Sequence, residues 1–88
     1  MTRYHFRFTG RVQGVGFRWT ATRAADMLGL TGWVCNMWDG SVEMEVQGDE
    51  ESIAEMIRAI DRGRFIQIDD IEKKVIPVID DERYFDVK

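Results

Sequence analysis

Between residues 1 and 29 the chain changes its polarity repeat from two residues to nearly four, and this switch restricts the available folds more than any other feature. Tyr4, Phe6 and Phe8 alternate with His5, Arg7 and Thr9, the signature of a strand with one buried face. Phe17, Ala21, Ala24, Ala25 and Leu28 then recur along one face of a helix, and Gly29 stands where a left-handed residue would end it. Only Gly10-Arg11-Val12-Gln13-Gly14-Val15-Gly16 separates the two. A strand therefore passes through a glycine-rich loop directly into a helix.

The remaining segments follow closely. Gly32–Asn36 and Ser41–Gln47 flank Met37-Trp38-Asp39-Gly40, and an Asp-Gly pair between two β-prone runs marks a hairpin. Asp49 is placed as an N-cap with Glu50 and Glu51 in the first turn, Ile53, Met56, Ile57 and Ile60 form an apolar stripe, and Gly63 is expected to close that helix. Ile68–Val78 reads as a strand and Arg83–Val87 as a short last one. The order is βαββαβ plus an extra short C-terminal strand. It predicts an α+β, ferredoxin-like (split-βαβ) two-layer sandwich with a mostly antiparallel sheet and both helices on one face. Residues 1–88 are expected to form a single domain. Folds of this class host unrelated activities.

Composition removes several function classes. A single cysteine, Cys35, cannot form an internal disulfide, and with the single His5 it leaves a four-ligand soft zinc site incomplete. A reducing cytoplasm is the expected location. No apolar run approaches the roughly 20 residues of a membrane span, and the N-terminus alternates where a secretion signal would be apolar. A net charge of −4 argues against non-specific nucleic-acid binding. RNA-recognition domains share the element order but present aromatics on the third strand, which here is Ser-Val-Glu-Met-Glu-Val-Gln. Yet all 16 acids lie beyond residue 25, while Arg3, Arg7, Arg11, Arg18 and Arg23 precede it. Any site for an anion lies in the first third.

The segment from Gly10 to Arg18 suits such a site. Glycine lets successive N–H groups converge, a helix start adds unpaired donors, and Arg18 can grip two phosphate oxygens at once. It is neither a Walker loop, which ends in Gly-Lys-Ser/Thr, nor the dinucleotide fingerprint, since position 19 is Trp19. On these residues alone an anion cradle and a merely tight connection with a solvated Arg18 remain equally open.

Gly10-Arg11-Val12-Gln13-Gly14-Val15-Gly16-Phe17-Arg18, with Gly29-Leu30-Thr31-Gly32-Trp33-Val34-Cys35-Asn36 and Asp39-Gly40-Ser41-Val42-Glu43, resembles the acylphosphatase family over nearly the whole chain. The resemblance implies hydrolysis of acyl phosphates to a carboxylate and inorganic phosphate, without metal or organic cofactor. It implies Arg18 as the phosphate-binding arginine and Asn36 as the residue orienting water. The backbone of Gln13, Gly14, Val15, Gly16 and Phe17 is implied as the phosphate cradle. The absence of further motif residues makes chemical sense, because a carboxylate leaving group has a conjugate-acid pKa of about 4 and departs without a general acid. Charge stabilisation and positioning can then carry the rate. Departures from the family's usual pattern fall at Cys35 and at Arg62-Gly63-Arg64-Phe65, outside the matched catalytic positions.

The other conspicuous residues have plainer readings. His5 is expected on the wet face without a partner, Cys35 half-buried, Trp33 in the core, and the Asp69-Asp70 and Asp80-Asp81-Glu82 runs in solvent. Met37 and Trp38 could touch an acyl group or do nothing. An independent monomeric enzyme is expected, its rival being a phosphate-sensing or interaction domain of a carbamoyl-transfer system.

Overall fold

The alternation at the N-terminus produces β1 (Thr2–Arg11), whose even-numbered aromatics Tyr4, Phe6 and Phe8 are all buried in the computed structural model, which describes all 88 residues. It continues as α1 (Phe17–Leu28), β2 (Thr31–Asn36), β3 (Val42–Gly48), α2 (Glu50–Asp61), β4 (Gln67–Ile76) and β5 (Phe85–Val87). The sheet order is β4-β1-β3-β2-β5. The β1–β3, β1–β4 and β2–β3 pairs are antiparallel, and the extra strand β5 pairs in parallel with β2.

The inward faces of β1, β2 and β3 meet the apolar stripes of both helices in one core, where Phe6, Phe8, Val34, Met44 and Val46 pack with Phe17, Ala21, Ile53, Met56 and Ile60. Phe8 before the glycine loop and Phe17 after it have ring centroids 4.8 Å apart, so both stems of the loop are anchored in that core. Truncating such a buried ring to alanine costs about 3–5 kcal/mol. At the loop's near stem a β-bulge falls between Thr9 and Gly10, where φ is 121° and a Cβ would strike the Gln67 carbonyl. Bulges of this kind re-aim a strand beside a site.

Several expectations are corrected. Trp33 lies outside the core: alternation buries Gly32 and Val34 and turns the indole to the helix-free face, where it meets His5 edge-on at 6.0 Å and Lys88 at 4.7 Å. His5 does lie on that face but has two partners, Glu45 at 2.8 Å and Glu43 at 3.0 Å. The last long strand stops at Ile76, before Pro77, which has no N–H to continue the ladder. Its Ile71 and Val75 stay exposed because β4 is an edge strand on which neither helix packs closely. Gly63 does not cap α2 by a left-handed turn. Arg62 is the C-cap with φ −81°, and a Cβ at Gly63 would come within 2.6 Å of the Ile66 side chain.

Glu82 is likewise not a solvated acid. The β4–β5 connection crosses from one sheet edge to the other, and there Glu82 accepts from buried Arg3 at 2.7 Å. Arg3 also donates to Glu45 and to Gln47, and Gln47 holds the main chain of Ile79 at both N–H and C=O. Burial alone would raise the Glu45 carboxyl, but bonds from His5 and Arg3 outweigh it and lower it below the ordinary range.

Candidate active site

The two helices begin differently, and the difference locates the site. α2 starts at Asp49, which accepts from the Ser52 amide at 3.3 Å, with Glu50 and Glu51 in the first turn. The start of α1 has no such cover: Gly16 is the N-cap, no side chain accepts from the first-turn amides, and the first turn holds no acid. Thr20 is the first amide of α1 to find a main-chain acceptor, the Gly16 carbonyl at 2.9 Å, and the amides of Gly14, Val15 and Gly16 donate to no main-chain group. These donors and the positive end of the helix are left for an anion.

Glycine is required here by conformation and not by crowding. Gly14 and Gly16 have φ of 71° and 84°, the left-handed region, and a Cβ at either would meet no atom within 4 Å. Left-handed residues in such a bend turn neighbouring N–H groups toward one point. Arg18 extends beside them, exposed, while the arginine ion pairs of the chain are made by Arg3, Arg7 and Arg58. Its guanidinium is unspent.

A hollow of about 370 Å³ at this point is lined by Val12, Gly14, Gly16, Phe17, Arg18, Trp19, Asn36 and Val87. Strand β2 ends there with Asn36, whose Oδ1 is buried without a hydrogen-bond partner in the protein. A buried oxygen left so costs about 1–3 kcal/mol. The fold thus gathers Gly14, Gly16, Phe17, Arg18 and Asn36. Gln13 and Val15 lie outside the lining, Val15 packed against the core.

Gln13 turns its side chain the other way, and sequence reasoning missed what it does. Its Nε2 donates to the carbonyls of Met37 at 2.7 Å and Ser41 at 2.8 Å, tying the glycine loop to the hairpin that follows Asn36. In the same hairpin Asp39 accepts from the Ser41 hydroxyl at 2.6 Å, the Ser41 amide at 2.9 Å and Arg7 at 2.9 Å. Chiefly through the Ser41 bonds, its carboxyl is held well below the usual carboxylate range. Trp38 projects from the tip and takes no part in the lining.

Trp19 and Val87 were also missed as lining residues. A signal existed for Trp19, since the stripe formed by Phe17, Ala21 and Ala24 turns position 19 away from the core. None existed for Val87, which arrives only through the parallel β2–β5 pairing.

A family model described as Acylphosphatase matches residues 4–87. The chain belongs to the acylphosphatase family. It is 43% identical to an acylphosphatase of Clostridium beijerinckii over 100% of this chain and 99% of that one. The crystal structure of acylphosphatase from Bacillus subtilis superposes with a TM-score of 0.91 at 34% identity, covering 100% of this chain and 99% of that chain. A structure of HypF from T. kodakarensis also superposes, with a TM-score of 0.85 at 39% identity over 100% of this chain but 12% of that one. The same sandwich can therefore be a small part of a longer polypeptide.

Proposed function

We propose that this acylphosphatase holds the phosphate of an acyl phosphate in the uncapped Gly14–Phe17 amides and the Arg18 fork, and aligns the attacking water with Asn36. Membership of the family makes the chain a hydrolase of acyl phosphates. The observation that carries the residue roles is the pairing of an uncapped, acid-free helix start with an unpartnered Asn36 oxygen across one hollow.

The water oxygen attacks phosphorus, the bond from phosphorus to the acyl oxygen breaks, and the carboxylate leaves with the electron pair. Amides and guanidinium offset the charge on the equatorial oxygens throughout. Asn36 accepts a hydrogen bond from the water but takes no proton near neutrality. The proton passes to a phosphate oxygen, and inorganic phosphate is released. Neither a general acid nor a metal is needed for a leaving group whose conjugate acid has a pKa of about 4. The working form in this reading is a cytoplasmic monomer that acts on a small molecule and not on nucleic acid.

Hydrolysis of benzoyl phosphate, with and without a chelator and with added inorganic phosphate, tests this. Chelator-insensitive turnover inhibited by phosphate is expected. Arg18→Gln should lower kcat/KM by at least ~10²–10³, the usual effect of one preorganised donor, and weaken phosphate inhibition with it. Asn36→Ala should abolish turnover yet keep phosphate binding, read by direct titration. Phosphate binding without turnover in the unaltered chain would favour a sensing domain.

A further inference from the structure

We propose that the indole of Trp19 is the landing surface for the acyl group, and that it selects acyl phosphates with neutral, planar, conjugated acyl groups over small aliphatic ones. This rests on the phosphate seat proposed above. In an acyl phosphate a single oxygen joins phosphorus to the acyl carbon, so a phosphate held beside Arg18 sets the acyl group at the rim of the hollow. Of the apolar side chains lining it, Val12 and Phe17 are buried, whereas Trp19 and Val87 are 68% and 51% exposed. The exposed apolar rim that meets the acyl group is therefore formed by an indole and a valine.

Trp19 belongs to two hollows. It borders the site and also a second one of about 410 Å³ along the outer face of α1, shared with Thr22, Arg23, Asp26 and Met27. The indole thus stands between the phosphate seat and this second hollow. Arg23 carries its guanidinium carbon 5.5 Å from the indole centroid and joins none of the salt bridges that Arg3, Arg7 and Arg58 make. It backs the ring and holds its orientation. An exposed indole held in one orientation is a surface for offset stacking, which a planar acyl group satisfies and an acetyl group does not. Arg23 and Asp26 carry opposite charges in that hollow, so nothing there favours a charged acyl chain.

The test compares benzoyl phosphate with acetyl phosphate on the unaltered chain, Trp19→Ala and Trp19→Phe. The ratio of kcat/KM for benzoyl over acetyl should fall about tenfold in Trp19→Ala, the scale of one aromatic contact with its buried area. Trp19→Phe should recover most of it. Removing Arg23 (Arg23→Ala) should lower the same ratio by a smaller factor, through a freed indole. A ratio unchanged in Trp19→Ala, whether both substrates slow together or neither does, overturns the proposal. Failure of the unaltered chain to hydrolyse either substrate would instead overturn the hydrolytic reading on which the acyl surface rests.

Discussion

Replacing Gln13 with alanine removes a carboxamide that reaches the hollow only through what it ties together. Two hydrogen bonds disappear, to the Met37 and Ser41 carbonyls. Neither carbonyl is orphaned, because Met37 O keeps the Gly40 amide at 3.2 Å and Ser41 O keeps the Met37 amide at 2.8 Å. The loss is then about two ordinary bonds at ~0.5–1.5 kcal/mol each, without the penalty of a stranded acceptor. A total of about 1–3 kcal/mol lowers the Tm of a domain this small by roughly 4–24 °C. The kinetic effect should be larger, since the clip sets the glycine loop against the strand end bearing Asn36, and a 1 Å misplacement can cost about 10²-fold. Gln13→Glu keeps the size but sets a carboxylate against two carbonyls, so it should be worse than alanine on both counts. Thermal unfolding and benzoyl phosphate kinetics on both variants are the assay. An unchanged Tm and kcat in Gln13→Ala, or a glutamate variant better than the alanine one, would refute the reasoning.

Further outcomes follow from other parts of the fold. Gly16→Ala should lose about 1–2 kcal/mol, the strain of a left-handed alanine, and weaken phosphate inhibition, although a Cβ there meets nothing; equal stability by urea unfolding would count against the loop conformation. Arg3→Ala strands Glu82 and takes one partner from Glu45, which keeps His5, and one from Gln47, which keeps Ile79; it should lose about 3–5 kcal/mol in the same measurement, with loosening of the β4–β5 connection that amide exchange would detect. Glu45 and Asp39 both titrate below their ordinary 4.5 and 3.8. The stability they contribute is fully present above those values and is lost as pH falls through the lower folded ones. Glu45→Gln should therefore flatten the acid limb of Tm against pH; an unaltered limb would contradict the assignment.

Much of this was legible in the sequence because two independent signals agreed wherever it was. Period-two alternation ran into helical spacing across three glycines, and both stems of the loop formed as read, from Phe8 to Phe17. The Asp49 cap and the Asp-Gly hairpin are local devices and needed no tertiary context. What escaped depended on partners distant in sequence. Trp33 looks apolar enough for a core, and only register across β3 shows which face it takes. Glu82 reads as one acid among several until the crossing connection brings it to Arg3, 79 residues away. Only the backbone of Gln13 was read as part of the cradle, and its carboxamide finds partners 24 and 28 residues on. Val87 reaches the site through three residues of parallel pairing that no spacing announces.

The central claim is that unpaired main-chain amides at one helix start, with one arginine, seat the phosphate. Titrating inorganic phosphate into the 15N-labelled protein and following each amide resonance tests it most directly. The account predicts that the largest shifts fall on Gly14, Val15, Gly16, Phe17 and Arg18, with the Asn36 side-chain amide moving alongside, and that Arg18→Gln suppresses them. Shifts centred elsewhere, such as the first turn of α2, or a silent Gly14–Arg18 segment at phosphate concentrations that inhibit turnover, would contradict it.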